Sequence, residues 1–209
     1  DGDRVVTAAH MVSDSGSKEC TVIFPSERRP RHYLKGTIRD LDKLKERLDE
    51  RGIDFAFLDL PPVSSYHEAR AIFDSYPFVP YPFCEDPKML GDETYHYGYP
   101  ANFKDLDYLE RLTGEALEYA DVRGTSQKTA EDGSTYQAPV FVFTKDESEL
   151  HPYMVSRTGV FRGASGGLAF NAAKQCILGP HHGFSAGSSE SFSIFMVLGW
   201  DKAKEILTK

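Results

Sequence analysis

Three side chains able to do nucleophilic chemistry stand far apart in this chain, in a usable order. Ser165 lies in Gly163-Ala164-Ser165-Gly166-Gly167, a turn holding three glycines in five residues that runs straight into the apolar Leu168-Ala169-Phe170. A serine hydroxyl is a weak nucleophile near neutral pH and needs a neighbouring base. His10, closing the stretch "VVTAAH", is a candidate base, and Asp54, in "IDFAFLDL", is a candidate to orient its ring. Glycines beside the serine let backbone N–H groups turn inward, where they can stabilise a developing oxyanion. Taken singly, each residue has a plainer reading: a strand-end histidine, a strand-edge cap and a turn serine. It is the ordered set that points to chemistry.

The spelling G-x-S-x-G also belongs to the nucleophile elbow of α/β-hydrolases, whose triad runs Ser, Asp or Glu, then His. Here His181 and His182 follow Ser165 but precede the late Asp201, so that order fails. The chain also lacks the strand–helix alternation such a fold needs. The order His10, Asp54, Ser165 is the remaining one.

The elements that would carry these residues are mostly short strands. Residues 5–9 read as a strand ending at His10, and "CTVIF" (20–24) as another. "SERRPRHYLKG" (26–36) reads as a basic loop. In residues 40–51, Leu41, Leu44 and Leu48 recur at helical spacing among charges, predicting an amphipathic helix stopped by Gly52. "IDFAFLDL" (53–60) is a strand closed by Pro61-Pro62. Four prolines, Pro77, Pro80, Pro82 and Pro87, make an extended connector. It divides a first unit (1–76) from a second (93–209), with 77–92 between them.

Beyond the connector, "TYHYGYP" (94–100), "EALEYADVRG" (115–124), "YQAPVFVFT" (136–144), "LAF" and "QCILG" read as strands. Turns are expected at 131–134 and 171–174. Tyr95, Tyr97 and Tyr99 alternate, as one face of a sheet does. Residues 200–209 read as a terminal helix. Short strands with glycine and proline turns argue for barrels or a sandwich.

Composition narrows the class. The 209 residues carry 24 basic and 32 acidic side chains, for a net charge of −8. That balance gives no indication of a nucleic-acid partner. No apolar run reaches the roughly 18 residues that span a membrane. Cys20, Cys84 and Cys176 are odd in number and form no C-x-x-C pair. A disulfide framework and a structural zinc site are therefore not expected, which favours a reducing compartment, cytoplasm or nucleus. A cysteine-poor secreted bacterial protein would share this composition. The chain opens on the turn-like Asp1-Gly2-Asp3 directly before a strand, as expected of a piece of a longer protein.

On these motifs the chain resembles the trypsin-like serine proteases of the chymotrypsin fold. "TAAH" is similar to the family's histidine motif, "DFAFLDL" to its aspartate strand, "GASGG" to its nucleophile loop, and "YGYP" to a strand of cysteine-poor members. The resemblance implies an all-β fold of two packed six-stranded antiparallel barrels with the site in their crevice. The first barrel would lack one or two strands before the histidine strand. It implies a serine endopeptidase acting through His10, Asp54 and Ser165 and an acyl-enzyme, with Gly163 and Ser165 donating backbone N–H groups to the oxyanion. No cofactor or metal is implied, and the partner is a protein or peptide substrate.

Two departures stand out. Ala164 occupies the position of an aspartate that pairs with a freed N-terminus in zymogen-activated members. Met11 stands where a disulfide cysteine would. Both resemble intracellular or viral cysteine-poor branches. "ILGPHHG" (177–183) resembles the segment that sets a preference for Glu or Gln before the cut. By that match His181 is the pocket residue, with Thr158 as hydroxyl partner and His182 and Gly183 alongside. A histidine can donate a hydrogen bond to a carboxylate or amide.

Other readings are plainer. His181-His182 with Cys176 is not expected to hold a metal, since consecutive strand residues face opposite ways. The basic run Arg28, Arg29, Arg31, His32 and Lys35 is expected to be a solvated loop. The alternative function is a catalytically silent protease-like module that binds partners. The oligomeric state is not indicated.

Overall fold

The computed structural model describes residues 4–13, 16–24, 32–51, 53–61, 81–86, 88–98, 110–129, 133–148, 151–158, 164–186 and 191–197. The chain begins with β1 (Arg4–Thr7), the single turn α1 (His10–Ser13), β2 (Glu19–Phe24), β3 (His32–Ile38), α2 (Leu41–Arg51) and β4 (Ala56–Asp59). It continues with β5 (Glu93–Gly98), β6 (Glu110–Thr129), β7 (Thr135–Thr144), β8 (Tyr153–Thr158), β9 (Leu168–Asn171), β10 (Cys176–Ala186) and β11 (Ser191–Met196). The terminal helix expected at 200–209, the turn residues 131–132, and residues 77–80 and 87 of the proline-rich connector lie outside the described residues.

Two antiparallel sheets result. The first has the order β1-β4-β3-β2. The second runs β5-β9-β10-β11-β8-β6-β7, and β5 also pairs with β6. That extra pairing closes β5, β9, β10, β11, β8 and β6 into a six-stranded ring, and β7 continues β6 as a long hairpin. Closure removes sheet edges. It needs local bends, and register shifts fall in β6 between Ala116 and Glu118 and between Val122 and Thr125. β10 shifts beside Gly179 and before Gly183. Such bulges turn a strand around a barrel corner. Among the described residues the first sheet has four strands.

Each sheet closes over its own apolar cluster. Ala9, Val12, Ile38, Leu44, Ala56 and Leu58 fill the first. Leu44 of α2 is buried there, with Leu41 and Leu48 partly buried beside it, so the amphipathic reading of 40–51 describes a helix packed on the first sheet. Asp40 opens the helix at φ 50°, its carbonyl accepting from Lys43 and Leu44 N–H. Met89, Tyr119, Met154, Leu178 and Phe195 fill the second barrel. A third cluster, Phe55, Ala120, Tyr153, Val155 and Ile194 with Val6 and Phe57 against it, spans the seam between the two sheets. The residues flanking Asp54 are thus held by both halves.

Three expectations are corrected. Cys84 and Cys176 form a disulfide, with Cα atoms 5.0 Å apart. They are 92 residues apart in sequence, and spacing rules do not reach that far. The pairing joins the middle of the connector to β10, and the ground for expecting a reducing compartment goes with it. The basic stretch 26–36 is not loop throughout: β3 starts at His32, with Leu34, Gly36 and Ile38 buried and Lys35 and Thr37 exposed. Period-two alternation was present but masked by the preceding charges. The expected strand 53–60 shortens to Ala56–Asp59, because Asp54 and Phe55 make contacts across the seam instead of a ladder.

Candidate active site

His10 sits on the first turn of α1, immediately after Ala8 and Ala9, both fully buried. Small side chains there let the chain fold tightly: Met11 N–H donates to the Ala8 carbonyl at 3.2 Å and Val12 N–H to the Ala9 carbonyl at 3.0 Å. Asp54 precedes β4 and is wholly buried. Its Oδ1 accepts the backbone N–H of His10 at 2.9 Å, and its Oδ2 meets His10 Nδ1 at 2.8 Å. The two residues are therefore locked at two points.

A third partner completes the carboxylate. His182 Nδ1, from β10 of the second barrel, also bonds Asp54 Oδ2. Its ring lies edge-on to those of Phe141 and Tyr153, with centroids 5.3 and 5.8 Å away. The Tyr153 hydroxyl accepts the backbone N–H of Asp54 at 3.1 Å. Burial pushes the Asp54 carboxyl up. The hydrogen bonds and charge of His10 and His182 outweigh that and hold it well below the ordinary range for an aspartate. An ionised carboxylate only accepts, so both rings must carry their proton on Nδ1 when neutral. On His10 this leaves the Nε2 lone pair as the basic position.

The turn holding Ser165 is packed against the His10 segment. Gly166 has φ +78°, and a Cβ there would lie 2.4 Å from Thr7 Oγ1 and 3.3 Å from Ala8 N. On Gly167 a Cβ would lie 2.2 Å from the Tyr97 carbonyl oxygen. Gly167 permits a close backbone approach that a Cβ would block, and Gly166 supplies the left-handed turn against Thr7 and Ala8. Gly166 N–H donates to the His181 carbonyl, His181 N–H to the Gly167 carbonyl, and Gly167 N–H to the Ala164 carbonyl. This turn is thus ordered by its own strand neighbours, with the buried Ala164 in the place of the family's aspartate. Gly163 lies outside the described residues.

Comparison with known proteins fits this arrangement. Residues 1–179 match the family model described as a trypsin-like peptidase domain. The chain belongs to the trypsin-like peptidases, a family of serine endopeptidases. No curated protein sequence matches it at a significant level. Among solved structures, the inactive form of the Rv3671c protease of M. tuberculosis is 20% identical, with a TM-score of 0.56 over 100% of this chain and 79% of that one. A thermostable serine protease, AL20, from an extremophilic microorganism is 15% identical, with a TM-score of 0.57 over 97% of this chain and 82% of that one. A Glu endopeptidase is 14% identical, with a TM-score of 0.52 over 99% of this chain and 80% of that one. At such identities the likeness concerns the double-barrel fold.

The remaining singled-out residues of this trypsin-like peptidase divide by face. On β10, His181 and His182 point opposite ways: His182 to Asp54, His181 into the second barrel. His181 Nε2 meets His96 Nδ1 at 3.0 Å, and its Nδ1 meets Ser193 Oγ at 2.6 Å. His96 Nε2 meets Thr94 Oγ1 at 2.8 Å and Ser156 Oγ at 3.2 Å. Burial, and His181 beside it, pushes His96 down to about 3. Burial alone pushes His181 down to about 4. Both rings are neutral near pH 7. Thr158 Oγ1 donates to the Thr113 carbonyl at 3.3 Å, and the hydroxyl beside the His181 ring is that of Ser193.

Sequence reasoning missed His96. It stands between Tyr95 and Tyr97 in an alternating strand, so the same pattern that put the tyrosines on one face put this histidine on the buried one. It also missed that His182 faces Asp54, for which no local pattern exists. Among the described residues no helix is long and apolar enough to cross a membrane.

Proposed function

We propose that this chain hydrolyses peptide bonds with Ser165 as nucleophile, His10 as general base and Asp54 as the group that orients and charges the base. The observation that carries the reading is the two-point grip of Asp54 on His10, through the backbone N–H and Nδ1. It leaves Nε2 as the acceptor for the serine proton. Attack on the scissile carbonyl would form a tetrahedral intermediate and then an acyl-enzyme, with His10 returning its proton to the leaving amine. The backbone N–H groups of Gly163 and Ser165 are the proposed oxyanion donors, each worth about 3–4 kcal/mol in such sites. The close packing of Gly166 on Thr7 and Ala8 supports a nucleophile turn lying beside the base.

Two units are part of the reading, 1–76 contributing His10 and Asp54 and 93–209 contributing Ser165. A preference for Glu or Gln before the cut is its finest part. It rests on His181 beside the nucleophile turn and on one structural neighbour being named a Glu endopeptidase; of the residues that follow on β10, Gly183 stays with that reading and His182 turns to Asp54 instead. Both His181 nitrogens bond within the protein, so a substrate carboxylate or amide gains the imidazole only by displacing Ser193 or His96.

A fluorophosphonate probe tests the reaction. The expected result is covalent labelling that Ser165→Ala abolishes and His10→Ala reduces by orders of magnitude. Absence of labelling in a folded protein would return the chain to the silent binding module. Peptide-library cleavage then reads the residue before the cut, and indifference to Glu and Gln there would remove the His181 assignment alone.

A further inference from the structure

The two imidazoles on Asp54 form a donor set of a second kind. One ligand atom from each of His10, Asp54 and His182 lies within 4.8 Å of the others, and both rings meet Asp54 Oδ2 through Nδ1. Two imidazole nitrogens and one carboxylate oxygen are ligands that zinc accepts at about 2.0–2.2 Å, commonly three from protein with the fourth position left to water. We propose that His10, Asp54 and His182 bind a zinc ion, and that the bound ion shuts off the peptidase.

The fit needs little movement. His10 Nδ1 is 2.8 Å from Oδ2, and His182 Nδ1 bonds the same oxygen. Ligand atoms around a tetrahedral zinc sit about 3.3 Å apart, so His10 Nδ1 and Asp54 Oδ2 need to part by roughly half an ångström. The ion then occupies the space of the two Nδ1 protons. Entry is from the His10 side, whose side chain is 34% exposed while that of Asp54 is not exposed. Phe141 and Tyr153 wall the His182 side with aromatic rings, and low local polarity strengthens the attraction between cation and carboxylate.

Protons balance without net release. Each neutral ring has one N–H, and coordination at Nδ1 sends that proton through water to Nε2. Asp54 is already ionised. On His10 the consequence is inhibitory. Nε2 becomes an N–H, and the lone pair that would take the serine proton is gone. The ion also puts positive charge where the imidazolium has to form. This inhibitory half rests on the proposed triad; the binding half does not.

Titration of the Ser165→Ala protein with zinc chloride by calorimetry separates the two. One zinc per chain is expected, with no uptake of magnesium, which prefers oxygen ligands. Cobalt(II) should give the intense visible bands of a tetrahedral site. His182→Gln keeps an amide donor for Asp54 but loses the ring nitrogen, and zinc affinity should fall at least tenfold and the cobalt bands vanish. His10→Gln should do the same, and serves alone if His182→Gln fails to melt cooperatively. No zinc uptake, or equal affinity in a folded glutamine variant, overturns the proposal. Zinc bound by these residues in a protein that never labels with fluorophosphonate would leave the site standing and refute the triad. A labelling enzyme indifferent to zinc would do the reverse.

Discussion

The Tyr153 hydroxyl, at the start of β8 in the second barrel, accepts a hydrogen bond from the backbone N–H of Asp54 in the first, at 3.1 Å. Both residues are buried, and they are 99 positions apart. The bond fixes the peptide from which the Asp54 carboxylate springs. The carboxylate itself then reaches His10 in one direction and His182 in the other. Burial and the nearby Asp54 charge push the Tyr153 hydroxyl far above the ordinary tyrosine range, so it remains protonated. The Asp54–His10 pair is thus braced from the half of the molecule that also carries Ser165, the proposed nucleophile.

Tyr153→Phe removes this acceptor and leaves the Asp54 N–H buried without it. Such a loss costs about 1–3 kcal/mol. Urea denaturation should show an unfolding free energy lowered by that amount, with the midpoint falling in proportion. Cleavage of a peptide substrate should lose kcat more than KM, since the displaced group is the base's support and not the substrate's. An unchanged midpoint would mean the Tyr153 bond contributes nothing net.

Asp54→Asn keeps the shape but not the charge. The amide can donate to His10 Nδ1, which turns the proton to Nε2 and disables the base. The expected loss in kcat is on the order of 10⁴-fold at neutral pH. His182 feels the same change, since its Nδ1 shares Oδ2. Stopped-assay hydrolysis across pH reads it; a loss under tenfold would deny Asp54 its orienting part.

How far these relationships were legible from sequence depends on their range. His10, Asp54 and the glycines around Ser165 announce themselves because their chemistry demands particular neighbours within a few residues. The α2 helix is legible because Leu41, Leu44 and Leu48 keep helical spacing. β8 and β11 were not read as strands. In β8, "YMVSRT" is buried on nearly every residue, both faces being covered, so no alternation survives. The Cys84–Cys176 bond, the His182–Asp54 contact and the His96–His181 pair all depend on barrel closure. Only the register of β10 between β9 and β11 brings them about.

Gly166→Ala tests the packing of the serine turn on the His10 segment. The new Cβ would meet Thr7 Oγ1 at 2.4 Å, in a backbone conformation at φ +78° that alanine resists. The turn, the Thr7 side chain or the Ala8 peptide must shift. The expected outcome is loss of fluorophosphonate labelling by at least tenfold, with destabilisation of roughly 1–3 kcal/mol from backbone strain. Gly133→Ala is the comparison: it has φ +84° but open space around the added Cβ. It should be strained yet label normally. Equal labelling of both variants would separate Ser165 from the His10 turn.

Stability should fall as the solution is acidified from about pH 6.5, well above the range where aspartates titrate. The cause is the buried pair His96 and His181, pushed down to about 3 and about 4 chiefly by burial. In the unfolded chain both rings titrate near 6.5. Below that pH the unfolded state binds protons that the folded state refuses, so unfolding becomes easier as pH falls toward the folded values. Above 6.5 the contribution is complete. Together the rings should remove at least ~3 kcal/mol between pH 6.5 and 4. Asp54 adds a separate loss at lower pH, because its carboxyl is also depressed: its share is present above about 3.8 and disappears as pH falls toward the folded value. Urea melts of the Ser165→Ala protein, which lacks the proposed nucleophile, give the slope. His96→Gln should flatten the limb between 6.5 and 4 while leaving the lower one. The amide still meets the Thr94 and Ser156 hydroxyls, so polar satisfaction is largely kept. A limb unchanged in that variant would place the proton uptake elsewhere in the protein.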